Sequence, residues 1–251
     1  MNILITRPLM DAEDLMEKLF KYGHKIIHLP TLKIFTMETE VVDPDKFDAF
    51  IFTSANAVRN LKLANTNKSI HCFCVGSITE KIARQSGFAN TSSAGGTVNA
   101  LKNLIMISNK VSESSNFAYF CGDNISYDLD LELKNEGLKI KKIVNYSSKV
   151  ISDLNDENKK LIENFPPDLI YIYSARSAES FMAIVKNYGL NPLVTQSTVM
   201  CISKKVANIF KSQKWKKIEI FNSGDEILIP DTPSFQTSKN KFLKFSNTFI
   251  N

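Results

Sequence analysis

The chain has 251 residues, enough for one large domain or two modest ones, each with an apolar core of its own. Its 31 basic and 26 acidic side chains leave a net charge of +5 spread over short lysine patches, with no aromatic-interleaved basic stripe that would hold nucleic acid. Four cysteines fall in or beside apolar runs without C-x-x-C spacing or a histidine cluster, so no metal site is expected and the thiols read as buried and reduced.

Asn2 to Thr6 reads as a strand, with no charged-then-apolar leader before it and no run of membrane length anywhere. The expectation is a cytoplasmic protein without a membrane partner. After Thr6-Arg7-Pro8, Asp11 to Tyr22 has helical spacing at Leu15, Leu19 and Phe20 and stops at Gly23. Lys25 to Leu29 is a second strand, Pro30 turns the chain, and Leu32 to Met37 is extended. A polar stretch, Glu38 to Lys46, leads to FDAFIFTSANAVRNL (Phe47 to Leu61), a short apolar run that breaks at a hydroxyl pair and continues with helical spacing.

A strand at Ile70 to Val75 and a helix at Ile78 to Ser86 follow, then a loop with Gly95-Gly96 and an N-cap at Thr97 for a helix through Val98, Leu101, Leu104 and Ile105. Asn109 to Ser115 is a polar connection. Phe117 to Cys121 is a strand closing on Gly122, Tyr127 to Asn135 a helix stopped by Gly137, and Ile140 to Tyr146 a strand that continues to Val150 as a return crossing. The rest supplies a helix at Asp156 to Phe165, a strand at Leu169 to Tyr173 with a helix at Ala178 to Tyr188, a strand at Thr198 to Ile202 with a helix to Phe210, and a last strand at Lys217 to Phe221. Beyond Pro230 the pattern dissolves into Ser, Thr, Asn and Lys, and residues 231–251 are expected to form a loose tail.

Two of these strand-then-helix units repeat. PDLIYIYSARSAESF echoes FDAFIFTSANAV, with Ser174 standing 120 residues after Ser54, and STVMCISKKVANIF echoes IHCFCVGSITEKIA, with Ser203 standing 127 after Gly76. So long a period argues for two sister α/β domains rather than a solenoid. Strands alternating with helices predict parallel sheets covered on both faces, with ligands at the carboxyl ends of the strands.

Those strand ends hold no phosphate loop, no G-x-G-x-x-G, no H-E-x-x-H and no nucleophile–base pair. They carry hydroxyls instead, at Thr6, Thr53, Ser54, Ser77, Thr79, Ser174, Ser177 and Ser203, together with Arg7 and Arg176. Neutral donors at helix mouths bind oxyanions, although each such hydroxyl is equally a helix cap or turn residue. Arg7 is a carboxylate clamp or a solvated cation. Gly76 and Gly122 permit close backbone approach or simply serve turns. Tyr146, at the crossing, would face a cleft if strand alternation holds, where it donates a proton or packs.

The ordered set ILITRP, KYGH before a proline, FTSANAV, CVGSITEKIARQSGF, FCGDN with ELKNEG, VNY and IYIYSARSAESF resembles the uroporphyrinogen-III synthase family from Asn2 to Phe221. The resemblance implies two α/β domains joined by a two-stranded crossing, the second inserted into the first. On that reading residues 1–34 with 150–230 form the first domain and 35–149 the second. It implies cyclisation of the linear tetrapyrrole hydroxymethylbilane to uroporphyrinogen III, with loss of water and inversion of the last pyrrole ring. No cofactor is implied. A monomer is expected, one able to make transient contact with the preceding deaminase. Thr53, Ser54, Thr79, Tyr146 and Ser174 fall on the family's substrate-lining positions, Tyr146 on its proposed acid. Two departures stand out. Ser203-Lys204-Lys205-Val206 replaces a second Gly-x-x-Thr, and an arginine common after Cys121 is missing. A two-domain small-anion sensor without catalysis is the alternative from a different class.

Overall fold

The computed structural model describes residues 1–108, 112, 114–222 and 224–227. The tail expected at 231–251 and part of the connection expected at 109–115 lie outside the described residues. In chain order the elements are β1 (Asn2–Ile5), α1 (Leu9–Lys21), β2 (Lys25–His28), β3 (Leu32–Thr36), β4 (Ala49–Phe52), α2 (Ala55–Arg59), β5 (His71–Cys74) and α3 (Ser77–Gln85). Then come β6 (Thr91–Ser93), α4 (Val98–Met106), β7 (Asn116–Gly122), α5 (Leu129–Asn135) and β8 (Lys139–Val150). The last are α6 (Asp156–Asn164), β9 (Leu169–Ile172), α7 (Ala175–Asn187), α8 (Asn191–Val194), β10 (Thr198–Cys201), α9 (Lys204–Phe210) and β11 (Lys217–Ile220).

The chain divides into two compact units, Met1–Lys33 with Val150–Asn251, and Ile34–Lys149. The first holds a sheet in the order β11-β10-β9-β1-β2, every neighbouring pair parallel. Ile3, Ile5, Tyr171 and Met200 pack on one face of it with Ala12 and Leu19 of α1. Leu4, Ile170, Ile172 and Val199 alternate to the other face and meet α6, α7 and α9.

The second unit holds β3-β8-β7-β4-β5-β6, with parallel pairing from β8 through β6. Phe50, Phe52, Cys72, Cys74 and Phe120 pack with α2 and α3, while Ile51, Phe73, Phe117, Tyr119 and Cys121 pack with α4 and α5. Covering on both faces explains why AFIF and LIYI are apolar at every residue: no strand position looks at water.

The two sheets share one plan in different chain order. Beginning at the strand that carries FTSAN or IYSAR, the neighbours on one side are β5 and β6 or β10 and β11, and on the other β7 and β8 or β1 and β2. The sequence echo thus pairs β4 with β9 and β5 with β10. In the first unit the β1-α1-β2 piece precedes its partners; in the second, its counterpart β7-α5-β8 follows them.

Several elements differ from their expected bounds. Helices α1 and α7 begin earlier than the first periodic apolar residue, because Pro8 and Ser174 are themselves the caps. Helix α2 is only Ala55–Arg59, the edge strand Thr91–Ser93 is too polar to read as a strand, and Asn191–Val194 is a further short helix. Among the described residues no helix is long and apolar enough to cross a membrane. All four cysteines are buried and unpaired.

Candidate active site

Because the strands in each unit run parallel, the carboxyl ends of β4, β5 and β7 share one edge of their sheet, and those of β1, β9 and β10 share one edge of theirs. In each sheet the strand order reverses once, between β4 and β7 and between β9 and β1. Helices leave to opposite faces at such a point and open a crevice between neighbouring strand ends. The residues singled out in the sequence stand at or beside these two places.

In the second unit, Ser54 caps α2, its Oγ accepting the Asn56 N–H at 3.1 Å. Thr53 turns to its neighbour strand and shares a hydrogen bond of 3.2 Å with the phenol of Tyr119. Burial raises the pKa of that phenol, so it stays protonated. Gly76 caps α3 without a side-chain hydrogen bond, leaving the first amides of that helix without a cap from this residue. The backbone that approaches Gly76 is the chain's own: a Cβ there would lie 3.3 Å from Cα of Gly96. Thr79, in the first turn of α3, is only 5% exposed and offers a ligand little of its surface.

Tyr146 lies across the end of β7. Between Cys121 and Gly122 the β7–β8 register shifts, so Cys121 pairs Val144 but Gly122 pairs Tyr146, and Asn145 is the extra residue. Such a bulge re-aims side chains that strict alternation would send elsewhere. Asn145, 1% exposed, donates from Nδ2 to the Ala57 carbonyl at 2.7 Å and ties the bulge to α2. The Tyr146 ring packs on the same side, against the core that holds Phe50, Phe52 and Phe120. The expected alternation therefore fails at this point, and the bulge determines where the phenol goes.

In the first unit, Arg7 follows β1 and Ser174 follows its neighbour β9. The Arg7 guanidinium lies over the Tyr173 ring, 4.4 Å from its centroid, while His28 Nε2 donates to the Arg7 carbonyl at 2.9 Å. Among the described residues Arg7 has no carboxylate partner. Ser174 caps α7 through the Ser177 N–H at 3.0 Å, and Ser203 caps α9 through the Val206 N–H at 3.4 Å. The departure from Gly-x-x-Thr thus has a local meaning: the serine closes with its own oxygen a helix mouth that Gly76 leaves without a side-chain cap.

Thr6 is fully buried, its hydroxyl donating to the Tyr171 carbonyl at 2.7 Å, so it ties β1 to β9 and does not face a ligand. Ser177 is buried as well. Sequence reasoning passed over Tyr119, Tyr173, His28 and Asn145. Tyr173 was within reach as the aromatic directly before the cap, whereas Asn145 and Tyr119 matter only through a bulge and a cross-strand contact. Among the described residues no group of His, Cys, Asp and Glu could hold a metal ion.

Two parallel-stranded units, each with hydroxyls and amides along its carboxyl edge, define an α/β protein of the doubly wound class. Residues 13–220 match the family described as HEM4, uroporphyrinogen-III synthase HemD, and the chain belongs to that family, which acts in tetrapyrrole and haem biosynthesis. Among solved structures it is similar to the uroporphyrinogen-III synthetase of Helicobacter pylori 26695, with 18% identity and a TM-score of 0.56 over 86% of this chain and 91% of that one. It is also similar to a mutant uroporphyrinogen III synthase of Thermus thermophilus, with 14% identity and a TM-score of 0.46 over 97% and 99% of the two chains. The Helicobacter likeness shows the shared fold. No curated protein matches the chain. Membership of an enzyme family counts against the anion-sensor alternative.

Proposed function

We propose that the chain is a hydro-lyase that cyclises hydroxymethylbilane to uroporphyrinogen III. The match over residues 13–220 carries the reading, and the chemistry of the strand ends agrees with it. A hydroxymethylpyrrole expels hydroxide readily because its ring nitrogen pushes electrons into the departing bond, so a single weak acid suffices. Tyr146 gives its proton to that hydroxide and water leaves. The electron-poor carbon then bonds to the substituted carbon of the last pyrrole. The resulting spiro ring opens and recloses with that pyrrole inverted, and the proton lost as aromaticity returns goes back to the phenolate.

Geometry, more than acid strength, limits this reaction, since the free carbon of the last ring is the easier partner. Holding one conformer supplies up to about 7–11 kcal/mol. In the first unit Arg7 and the hydroxyls of Ser174 and Ser203 bind carboxylates, and in the second the Ser54 hydroxyl does so while Gly76 presents the amides of α3. Thr53 and Thr79 shape the wall beside Ser54 and Gly76 in the second unit. Residues 1–34 with 150–230 and residues 35–149 act as the family's outer and inserted domains. The reading extends to a cytoplasmic monomer that takes the bilane from the deaminase that makes it, because a substrate that loses water unaided is short-lived when free.

The test is to supply freshly made hydroxymethylbilane and resolve the product isomers. Uroporphyrinogen III as the main product supports the reading. Uroporphyrinogen I alone, the product of unaided closure, overturns it.

A further inference from the structure

Tyr146 reaches its place through the bulge and through an atom that is not there. A Cβ built on Gly122 would lie 2.7 Å from Cζ, 2.8 Å from Cε2 and 3.0 Å from the hydroxyl oxygen of Tyr146. All three atoms belong to the far end of the phenol, so its reactive tip lies on Gly122. The backbone of Gly122 does not itself call for glycine, because the positive-φ positions are elsewhere in the chain. Only the ring does.

The surroundings leave the phenol few other places. Its backbone is pinned on both sides: the Asp123 N–H donates to the Tyr146 carbonyl at 3.0 Å, and the Met37 N–H donates to the Asn145 carbonyl at 3.1 Å. Inward lie the buried rings of Phe50, Phe52 and Phe120, against which the phenol packs. A methyl group at position 122 would therefore push the ring outward, by about 1 Å if ordinary carbon contacts are restored.

We propose that Gly122 is a positioning residue, whose missing side chain admits the Tyr146 phenol and fixes where its hydroxyl sits, rather than a glycine kept open for the substrate. The inference rests on the acid role given to Tyr146 above. A misplacement of about 1 Å at a reacting group costs up to about a hundredfold in rate.

The test is a cycle of Gly122→Ala, Tyr146→Ala and the double variant, read by kcat, KM and Tm. Gly122→Ala should lower kcat by about ten- to a hundredfold with KM within about twofold. It should also lower Tm. In the Tyr146→Ala background the same change should leave kcat unaltered and hold or raise Tm, since nothing remains to collide and alanine suits a strand better than glycine. A Gly122→Ala protein with full kcat, or an equal loss of kcat in both backgrounds, overturns the proposal. If Gly122→Ala does not fold, a folded double variant supports the steric contact and an unfolded one refutes it. Should the wild-type chain make no uroporphyrinogen III, the acid role fails, while the Tm cycle still reports on the contact.

Discussion

The guanidinium of Arg7 lies over the ring of Tyr173, 4.4 Å from its centre, beside the place where the strand order of its sheet reverses. The contact with the ring restrains the fork, and a restrained guanidinium is suited to gripping a carboxylate. Arg7→Lys keeps the charge and loses both the plane and the fork. The expected outcome is a KM raised about tenfold with kcat nearly unchanged, as for a grip felt equally in ground and transition states. Steady-state kinetics check it, and an unaltered KM would leave Arg7 a packing residue.

Tyr146→Phe keeps the ring on Gly122 and removes only the hydroxyl. Turnover should fall by about one to two orders of magnitude, with Tm little changed. An unchanged rate in this variant would make water or a substrate carboxyl the proton source and the tyrosine a piece of packing.

Asn145 anchors the bulge that places that ring. Asn145→Ala leaves the Ala57 carbonyl without its donor beneath α2. The expected loss is about 1–3 kcal/mol in a denaturant titration, together with a lower kcat as the register loosens. Full stability in the variant would show that the bulge holds itself.

Glu80 links α3 to β6, accepting from Thr91 at 2.7 Å and from Arg84 at 2.9 Å. The Thr91 hydrogen bond, helped by Arg84, lowers its pKa below the ordinary 4.5. A carboxyl depressed in the folded state stabilises the fold above its unfolded pKa, and that stabilisation is lost as pH falls through the folded value. Glu80→Gln should therefore be less stable than wild type at neutral pH, and the gap should close in acid below 4.5. Thermal melts across that range measure it; a constant gap would mean that the charge contributes nothing.

Burial pushes the thiols of Cys74 and Cys201 up to about 12 and that of Cys121 to about 11. Thiolate is the reactive form, so the native chain should resist a thiol reagent at mildly alkaline pH and take up four equivalents once denatured. Rapid labelling of the native protein would show that the sheet edges open.

The layout of strands and helices was legible because burial on both faces leaves a plain mark: AFIF and LIYI admit no polar residue, and a serine follows within two positions where the helix begins. Ser54, Ser174 and Ser203 could be read as caps for the same reason. The path of Tyr146 could not. Period-two alternation carries no sign of a bulge, and one extra residue changes which side chain meets which neighbour. Nor could the chain order of the two sheets be read from the echo, which records only the half of each unit that stayed in sequence.

Close to where the chain leaves the first unit after Lys33 and comes back at Val150, the Ile151 N–H bonds the Thr31 carbonyl at 2.9 Å. The detour of more than a hundred residues therefore starts and finishes at the same doorway. An insert attached at a doorway can drift in sequence, lengthen or be exchanged without rerouting its host. Such tolerance would let one unit be carried within the chain of the other.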